Sequence, residues 1–338
     1  MAATVEVGGD MFPAIGMGTF GSDRYGAAEV AAAVRTAIGV GYRLIDCASV
    51  YGNEAAVGEA IAAALAEFGL RRDELTVMSK VWNDAHAPAD AVASVRRSLA
   101  DLRLGYLDAV FVHWPFPNHH APGVDVGARD PHATPYSHDG FMAVWRALED
   151  LVDEGVIRHL GVSNVTIPKL RRILADARIR PSLNEMELHP GFQQPELFEF
   201  CLAEGIRPVG YSPLGSPSRP ERDRTPDDVV DLELPPVLAI AQRRGLHPAQ
   251  VALTWAVSRG QIPIPFSVKE EQLRANLEAA SGDPLTAAEL LELATADRDN
   301  RLIKGQVFLW EGAGDWRDLW DVDGTIPGWG GYGTPAID

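Results

Sequence analysis

A chain of 338 residues with 46% hydrophobic content can bury one large core, as a single α/β barrel or as two smaller domains. Its formal charge of -17, without a basic cluster, argues against nucleic acid and against an anionic membrane surface. Cys47 and Cys201 are too few for a disulfide framework, so a reducing compartment fits.

Met1–Glu6 lacks the basic and apolar segments of a signal peptide, and later apolar runs are too short or too broken to span a bilayer. A cytoplasmic protein without a membrane partner is therefore expected. Thr4–Val7, a Gly8-Gly9-Asp10 turn and Met11-Phe12 read as a hairpin. Strand-like pieces follow at Ala14–Met17, Tyr42–Ile45, Thr76–Ser79, Ala109–Val112, His159–Val162, Leu183–Glu187, Arg207–Gly210 and Gln261–Ile264. Helical patterns fall between them, at 26–40, 53–68, 88–103, 140–154, 167–177, 193–204, 248–259 and 269–279. Asn53 suits an N-cap, Pro88 a first helical turn, and Thr286-Ala287-Ala288-Glu289 a capping box opening one more helix. Strands and helices alternating without a linker imply a closed (β/α)8 barrel, a TIM barrel, as one domain over 1–338. It carries a hairpin at 1–13 and a tail at 300–338. That tail holds Trp310, Trp316, Trp320, Trp329 and Tyr332, too much aromatic surface to leave in water, and the barrel mouth is the expected seat. Insertions are expected at 114–139 and 212–236.

Three strand-like pieces deliver ionisable residues at or just past their C-terminal ends, where a barrel of this kind carries its site: Asp46 and Tyr51, Lys80, and His113. A tyrosine is a weak acid unless a cation stabilises its anion, and Lys80, held by Asp46, would be that cation. His113 would donate a hydrogen bond to a carbonyl oxygen. Such a set suits protonation of a developing alkoxide while hydride reaches carbon. Gly16-Met17-Gly18-Thr19-Phe20-Gly21 matches a dinucleotide fingerprint, but Ser22-Asp23-Arg24-Tyr25 stands where the helix should open, so a Rossmann fold is set aside. His119, His120, His132 and His138 are irregularly spaced without a cysteine, so no metal is expected. Cys47 reads as buried filler.

Gly41–Glu54, Ser79-Lys80-Val81-Trp82, Val112-His113-Trp114-Pro115, Gly161-Val162-Ser163-Asn164 and Tyr211-Ser212-Pro213-Leu214-Gly215-Ser216 jointly resemble the successive signatures of the aldo-keto reductase superfamily. The resemblance implies an NAD(P)H-dependent oxidoreductase that reduces an aldehyde or ketone, with Tyr51 as general acid and Asp46, Lys80 and His113 completing a tetrad. It places Ser163, Asn164 and Glu185 at the nicotinamide carboxamide, Tyr211 on the ring, and Ser212, Leu214 and Ser216 around the pyrophosphate. Ser267, Val268, Lys269, Gln272 and Asn276 would meet the adenosine end. Phe20, Trp82 and Trp114, with His113, would line the substrate pocket.

The chain departs from the family pattern at two points. Glu185 stands where the family commonly has Gln, and the residues alone also allow it to partner a structural cation. Phe266 and Gln272 stand where NADPH-preferring relatives place Lys and Arg, so NADH use is expected, with Lys269 or Arg274 as possible compensation. The polar loop at 114–139 and Asp299-Asn300-Arg301 loosely resemble sugar-reducing members, which points to aldoses or other hydroxylated aldehydes. Some members of the superfamily are cofactor-sensing regulatory subunits, an alternative on the same scaffold. The expected partner is a small carbonyl compound, and the chain a monomer or small homo-oligomer.

Overall fold

A computed structural model describes residues 3–21, 24–119, 130–217, 224–226, 228–322 and 324–326. Thr4–Val7 (β1) and Asp10–Pro13 (β2) pair antiparallel across a turn at Gly8 and Gly9, whose φ of 55° and 94° are open to glycine without strain. Val7 and Phe12 from this hairpin join the cluster inside the barrel.

Eight parallel strands follow in chain order: Met17–Gly18 (β3), Leu44–Asp46 (β4), Thr76–Val81 (β5), Leu107–Val112 (β6), Ile157–Ser163 (β7), Leu183–Glu187 (β8), Arg207–Tyr211 (β9) and Ile262–Pro263 (β10). The Gly16 and Gly18 N–H groups donate to Pro263 O (3.0 Å) and Pro265 O (3.1 Å), which joins the first strand to the last. The helices are Ala27–Val40 (α1), Glu54–Phe68 (α2), Pro88–Asp101 (α3), His138–Asp153 (α4), Ile167–Asp176 (α5), Pro195–Ala203 (α6), Pro235–Arg244 (α7), Pro248–Ser258 (α8), Glu270–Ser281 (α9) and Ala287–Ala294 (α10). No helix among the described residues is long and apolar enough to cross a membrane.

Two local readings of the sequence are corrected. Pro235-Pro236 looks like part of a proline-rich insertion, yet these residues open α7, at positions where a helix needs no N–H donor. Asn53 precedes α2 but makes no capping bond. Its Nδ2 donates instead to Thr19 O (2.8 Å) and so ties the β3 turn to the β4 turn.

Strand side chains alternate between faces, and that period fixes the site. Leu44, Met78, Ala109, Phe111, Leu183, Val209 and Ile262 fill the barrel, whereas Ile45, Val77, Val81, Val110, Val112 and Val162 face the helices. Gly161 leaves room for the Phe111 ring, since a Cβ there would lie 2.4 Å from it. Two residues beyond Leu44, Met78, Phe111, Leu183 and Val209 stand Asp46, Lys80, His113, Glu185 and Tyr211. The face that holds the apolar plug thus turns ionisable at the C-terminal mouth.

Candidate active site

Lys80 is fully buried at the end of β5. Its Nζ donates to Asp46 Oδ1 (2.7 Å), Asp46 Oδ2 (2.6 Å) and Cys47 O (3.0 Å), and lies 3.3 Å from Glu185 Oε1. Burial opposes its charge, but Asp46, Glu185 and Tyr51 outweigh burial and hold Lys80 well above the ordinary lysine value. Asp46 is pushed up by burial and drawn back by the ammonium on both of its oxygens. Glu185 is raised to about 8 by burial, with the Asp46 charge adding and Lys80 opposing. The Lys80 ammonium thus lies between Asp46, which it holds on both oxygens, and Glu185, which burial keeps protonated at neutral pH.

Tyr51 ends a 3-10 turn over Ser49–Tyr51, which Ser49 anchors by donating to Lys80 O (3.1 Å). The Lys80 nitrogen is 5.3 Å from the Tyr51 ring centroid. The sequence suggests that this ammonium makes the phenol acidic. Its pull is present, but burial is the larger effect and Asp46 and Glu185 add to it, so Tyr51 is held above the ordinary phenol value. It is a protonated phenol at neutral pH. The His113 ring meets Tyr51 edge-on at 6.0 Å and Trp82 at 5.0 Å. Burial, then the Lys80 charge, pushes His113 well below the ordinary histidine value, so it is a neutral imidazole.

The aromatic wall continues from there. Phe20, 56% exposed, stands 5.1 Å from the Tyr51 ring. Trp82, against His113, meets Phe308 of the tail edge-on at 5.9 Å. Trp114 is buried, covered by Phe308 (4.8 Å) and Trp320 (5.5 Å). The tail thus packs over the mouth as far as it is described. Trp329, Tyr332 and His120 lie outside the described residues.

Ser163 and Glu185 are register partners on β7 and β8, and the Asn164 N–H donates to Glu185 O (3.0 Å). Asn164 sits in the left-handed region (φ 56°), with Nδ2 donating to His113 O (2.9 Å) and Ser163 Oγ (3.2 Å). The Tyr211 hydroxyl donates to Asn164 Oδ1 (2.7 Å). Ser212, Gly215 and Ser216 are also left-handed, in a turn closed by Gly215 N–H to Ser212 O (2.9 Å), and Leu214 packs on the core. Near α9, Ser267 Oγ donates to Gln272 Oε1 (2.7 Å), Val268 packs inward and Asn276 is buried. Phe266 rests on Tyr25 at 5.6 Å. Lys269, Glu270, Glu271 and Arg274 line an open cleft of about 480 Å³.

The model of the Aldo/keto reductase family matches residues 14–298. An aldo/keto reductase of Synechocystis sp. is 38% identical over 93% of this chain and 94% of its own length. The chain belongs to the aldo/keto reductase family. Aldo-keto reductase family 1 member A1 of Rattus norvegicus is 41% identical over 80% of this chain and 82% of its own. Among solved structures, the Bombyx mori aldo-keto reductase in complex with NADP superposes with a TM-score of 0.78 at 30% identity, covering 89% of this chain and 95% of that one. The aldose reductase from Schistosoma japonicum gives 0.78 at 32% identity over 93% and 98%.

As a family member the chain is a nicotinamide-dependent oxidoreductase. Its residues fit that cofactor: Glu185 Oε2 is a buried carboxyl oxygen with no hydrogen-bond partner among the described residues, in the same cluster as Ser163, Asn164 and Tyr211. The sequence left open a cation near Glu185, and the Lys80 nitrogen lies 3.3 Å from its Oε1. A buried trio escaped the sequence reading. His189 is bonded to Glu187 Oε1 (2.9 Å) and Asp231 Oδ2 (2.7 Å), and Glu187 also accepts the Leu302 (2.7 Å) and Ile303 (2.9 Å) N–H groups of the tail. Glu187 could have been found, because the strand period that turns Glu185 inward turns Glu187 inward too.

Proposed function

We propose that this aldo/keto reductase reduces an aldehyde or ketone reversibly to the alcohol, with Tyr51 donating the proton to the carbonyl oxygen. The observation that carries this reading is the buried Lys80 ammonium, fixed on Asp46 and lying under the Tyr51 ring. The nicotinamide cofactor, when bound, supplies hydride to the carbonyl carbon. The protonated Tyr51 gives up its proton as negative charge develops on oxygen, and Lys80 stabilises the phenolate left behind. Asp46 keeps that ammonium charged and aimed. Neutral His113 orients the oxygen by a hydrogen bond and takes no proton. Ser163, Asn164, Glu185 and Tyr211 hold the nicotinamide end. Ser212, Leu214 and Ser216 wrap the diphosphate, and Ser267, Val268, Lys269, Gln272 and Asn276 meet the adenosine. Phe20, Trp82 and Trp114 form the apolar side of the substrate site.

Tyr51→Phe removes the donor while keeping the ring. It is expected to lower kcat by at least about a hundredfold, on the scale of a lost general acid, with cofactor affinity nearly unchanged. Wild-type turnover in that variant would remove the mechanism. We infer an aldose or another hydroxylated aldehyde as substrate, from the loose resemblance of the polar sequence at 114–139 and of Asp299-Asn300-Arg301 to sugar-reducing members. A panel of aldoses, aldehydes and ketones assayed with NADH and with NADPH tests this, and a strict preference for apolar ketones would refute it. NADH is read as an accepted cofactor because Phe266 and Gln272 bring no charge to the adenosine end.

A further inference from the structure

We propose that Glu185 acts as a neutral carboxylic acid that donates its own proton to the carboxamide oxygen of the nicotinamide, and that loss of this proton releases the cofactor at alkaline pH. The inference rests on the preceding assignment of Ser163, Asn164 and Glu185 to the carboxamide.

The geometry is a crowd of acids around one cation. Lys80 Nζ gives its two shortest bonds to the two oxygens of Asp46, at 2.6 and 2.7 Å, and a third to Cys47 O at 3.0 Å. What remains for Glu185 is a longer contact of 3.3 Å to Oε1. Oε2 is buried and has no hydrogen-bond partner among the described residues. A second full negative charge here would be buried with half of its acceptor capacity unmet, an arrangement that burial penalises heavily. Of the charged and titratable groups around Glu185, only Lys80 favours its anion, and Lys80 gives its shorter bonds to Asp46. Asp46 on β4 repels its anion, and Lys80 on β5 is already neutralised by Asp46. Tyr51 and Tyr211 are protonated phenols, His113 is a neutral imidazole, and Glu187 lies two residues along its own strand. Burial first, then Asp46, holds the Glu185 proton on to about pH 8.

A carboxamide has one acceptor oxygen and one donor NH2. A glutamine side chain meets both. A carboxylate accepts from the NH2 but faces the oxygen with a second acceptor, so it repels. A carboxylic acid again offers one donor and one acceptor. Protonated Glu185 therefore matches a carboxamide where ionised Glu185 does not, and the cofactor should bind with the proton in place.

The test is NADH binding without turnover, followed by quenching of tryptophan fluorescence from neutral to alkaline pH, with NADPH in parallel. In the wild type the Kd is expected to rise by about tenfold per pH unit above the Glu185 transition, with one proton taken up on binding there. That uptake is read by calorimetry in buffers of different ionisation heat. In Glu185→Gln, which keeps donor and acceptor, the Kd should stay flat through the same range. A wild-type Kd that ignores pH, or the same pH dependence in Glu185→Gln, overturns the proposal while leaving the cofactor reading intact. Absence of binding at any pH in either protein overturns the cofactor reading itself, and the proposal with it. Should Glu185→Gln fail to fold, the carboxylic C=O infrared band of the wild-type protein decides. It must be present at neutral pH and vanish above the transition, and an ionised Glu185 at neutral pH sinks the idea.

Discussion

Arg274, in the open cleft beside α9, is bound through Nε (2.9 Å) and Nη2 (2.6 Å) to Glu270 Oε1, one helical turn before it. Both side chains are more than half exposed, so this pair is screened and weak. If the cleft takes the adenosine end as proposed, its effect on cofactor choice would exceed its strength, because a 2′-phosphate would have to draw Arg274 away while Glu270 and Glu271 stand beside it. With no cation at Phe266 or Gln272, Lys269 and Arg274 are the positive groups lining that cleft. Glu270→Ala should release Arg274 and remove one repulsive charge. The ratio of kcat/KM for NADPH over NADH is expected to rise by roughly threefold to tenfold, the lower part of the range for a charge-assisted bond because of solvent exposure. A ratio unchanged from wild type would show that Arg274 takes no part in cofactor choice.

Three elements meet at the imidazole of His189, which follows β8. Glu187 reaches it from that strand, Asp231 from the turn that precedes α7, and Glu187 in turn receives the backbone of the tail. Burial alone would discharge His189, but the two carboxylates outweigh it and raise it to about 9. A histidine raised in the folded state contributes stability that is complete below its unfolded value, about 6.5, and is lost as pH rises through the folded value. Urea unfolding should therefore show a loss on the order of 2–3 kcal/mol between about pH 6 and pH 10. His189→Gln should be less stable at the acid end and should lose that part of the slope. An equal slope in both proteins would place the pH effect elsewhere. This trio also marks how far the sequence could be read. Asp46, Lys80 and His113 were legible because the two-residue period and the strand ends determine where they point. His189, Asp231 and the helix α7 were not, because they depend on contacts between segments far apart in the chain. Asn53 fails in the same way: its local pattern says cap, and Thr19, 34 residues earlier, takes the side chain instead.

The whole molecule is a barrel with its own cover, and the cover is attached by a buried ion pair. Lys169 on α5 donates to Asp321 Oδ2 at 2.5 Å and to Leu319 O at 3.2 Å, and Thr166 donates to the same Asp321 oxygen. Asn118, at the start of the 114–139 insertion, adds a bond to Phe308 O (2.8 Å). Beneath these attachments lie Phe308 and Trp320, packed on Trp114. Burial pushes Lys169 below the ordinary lysine value and Asp321 partly restores it, so the ammonium depends on its partner. Removing one member of such a pair leaves a buried charge unmatched and costs on the order of 3–5 kcal/mol, whereas replacing both by apolar groups is often neutral. Asp321→Asn should therefore free the tail without unfolding the barrel. Its tryptophan emission should shift to the red and KM for the carbonyl substrate should rise severalfold, with far-ultraviolet circular dichroism unchanged. Lys169→Met combined with Asp321→Leu should return both readouts towards wild type, because the tail then docks through apolar contact alone. If the single variant keeps wild-type emission and KM, the ion pair does not hold the cover. If the double variant is as loose as the single one, the charges contribute more than an anchor that apolar packing can replace.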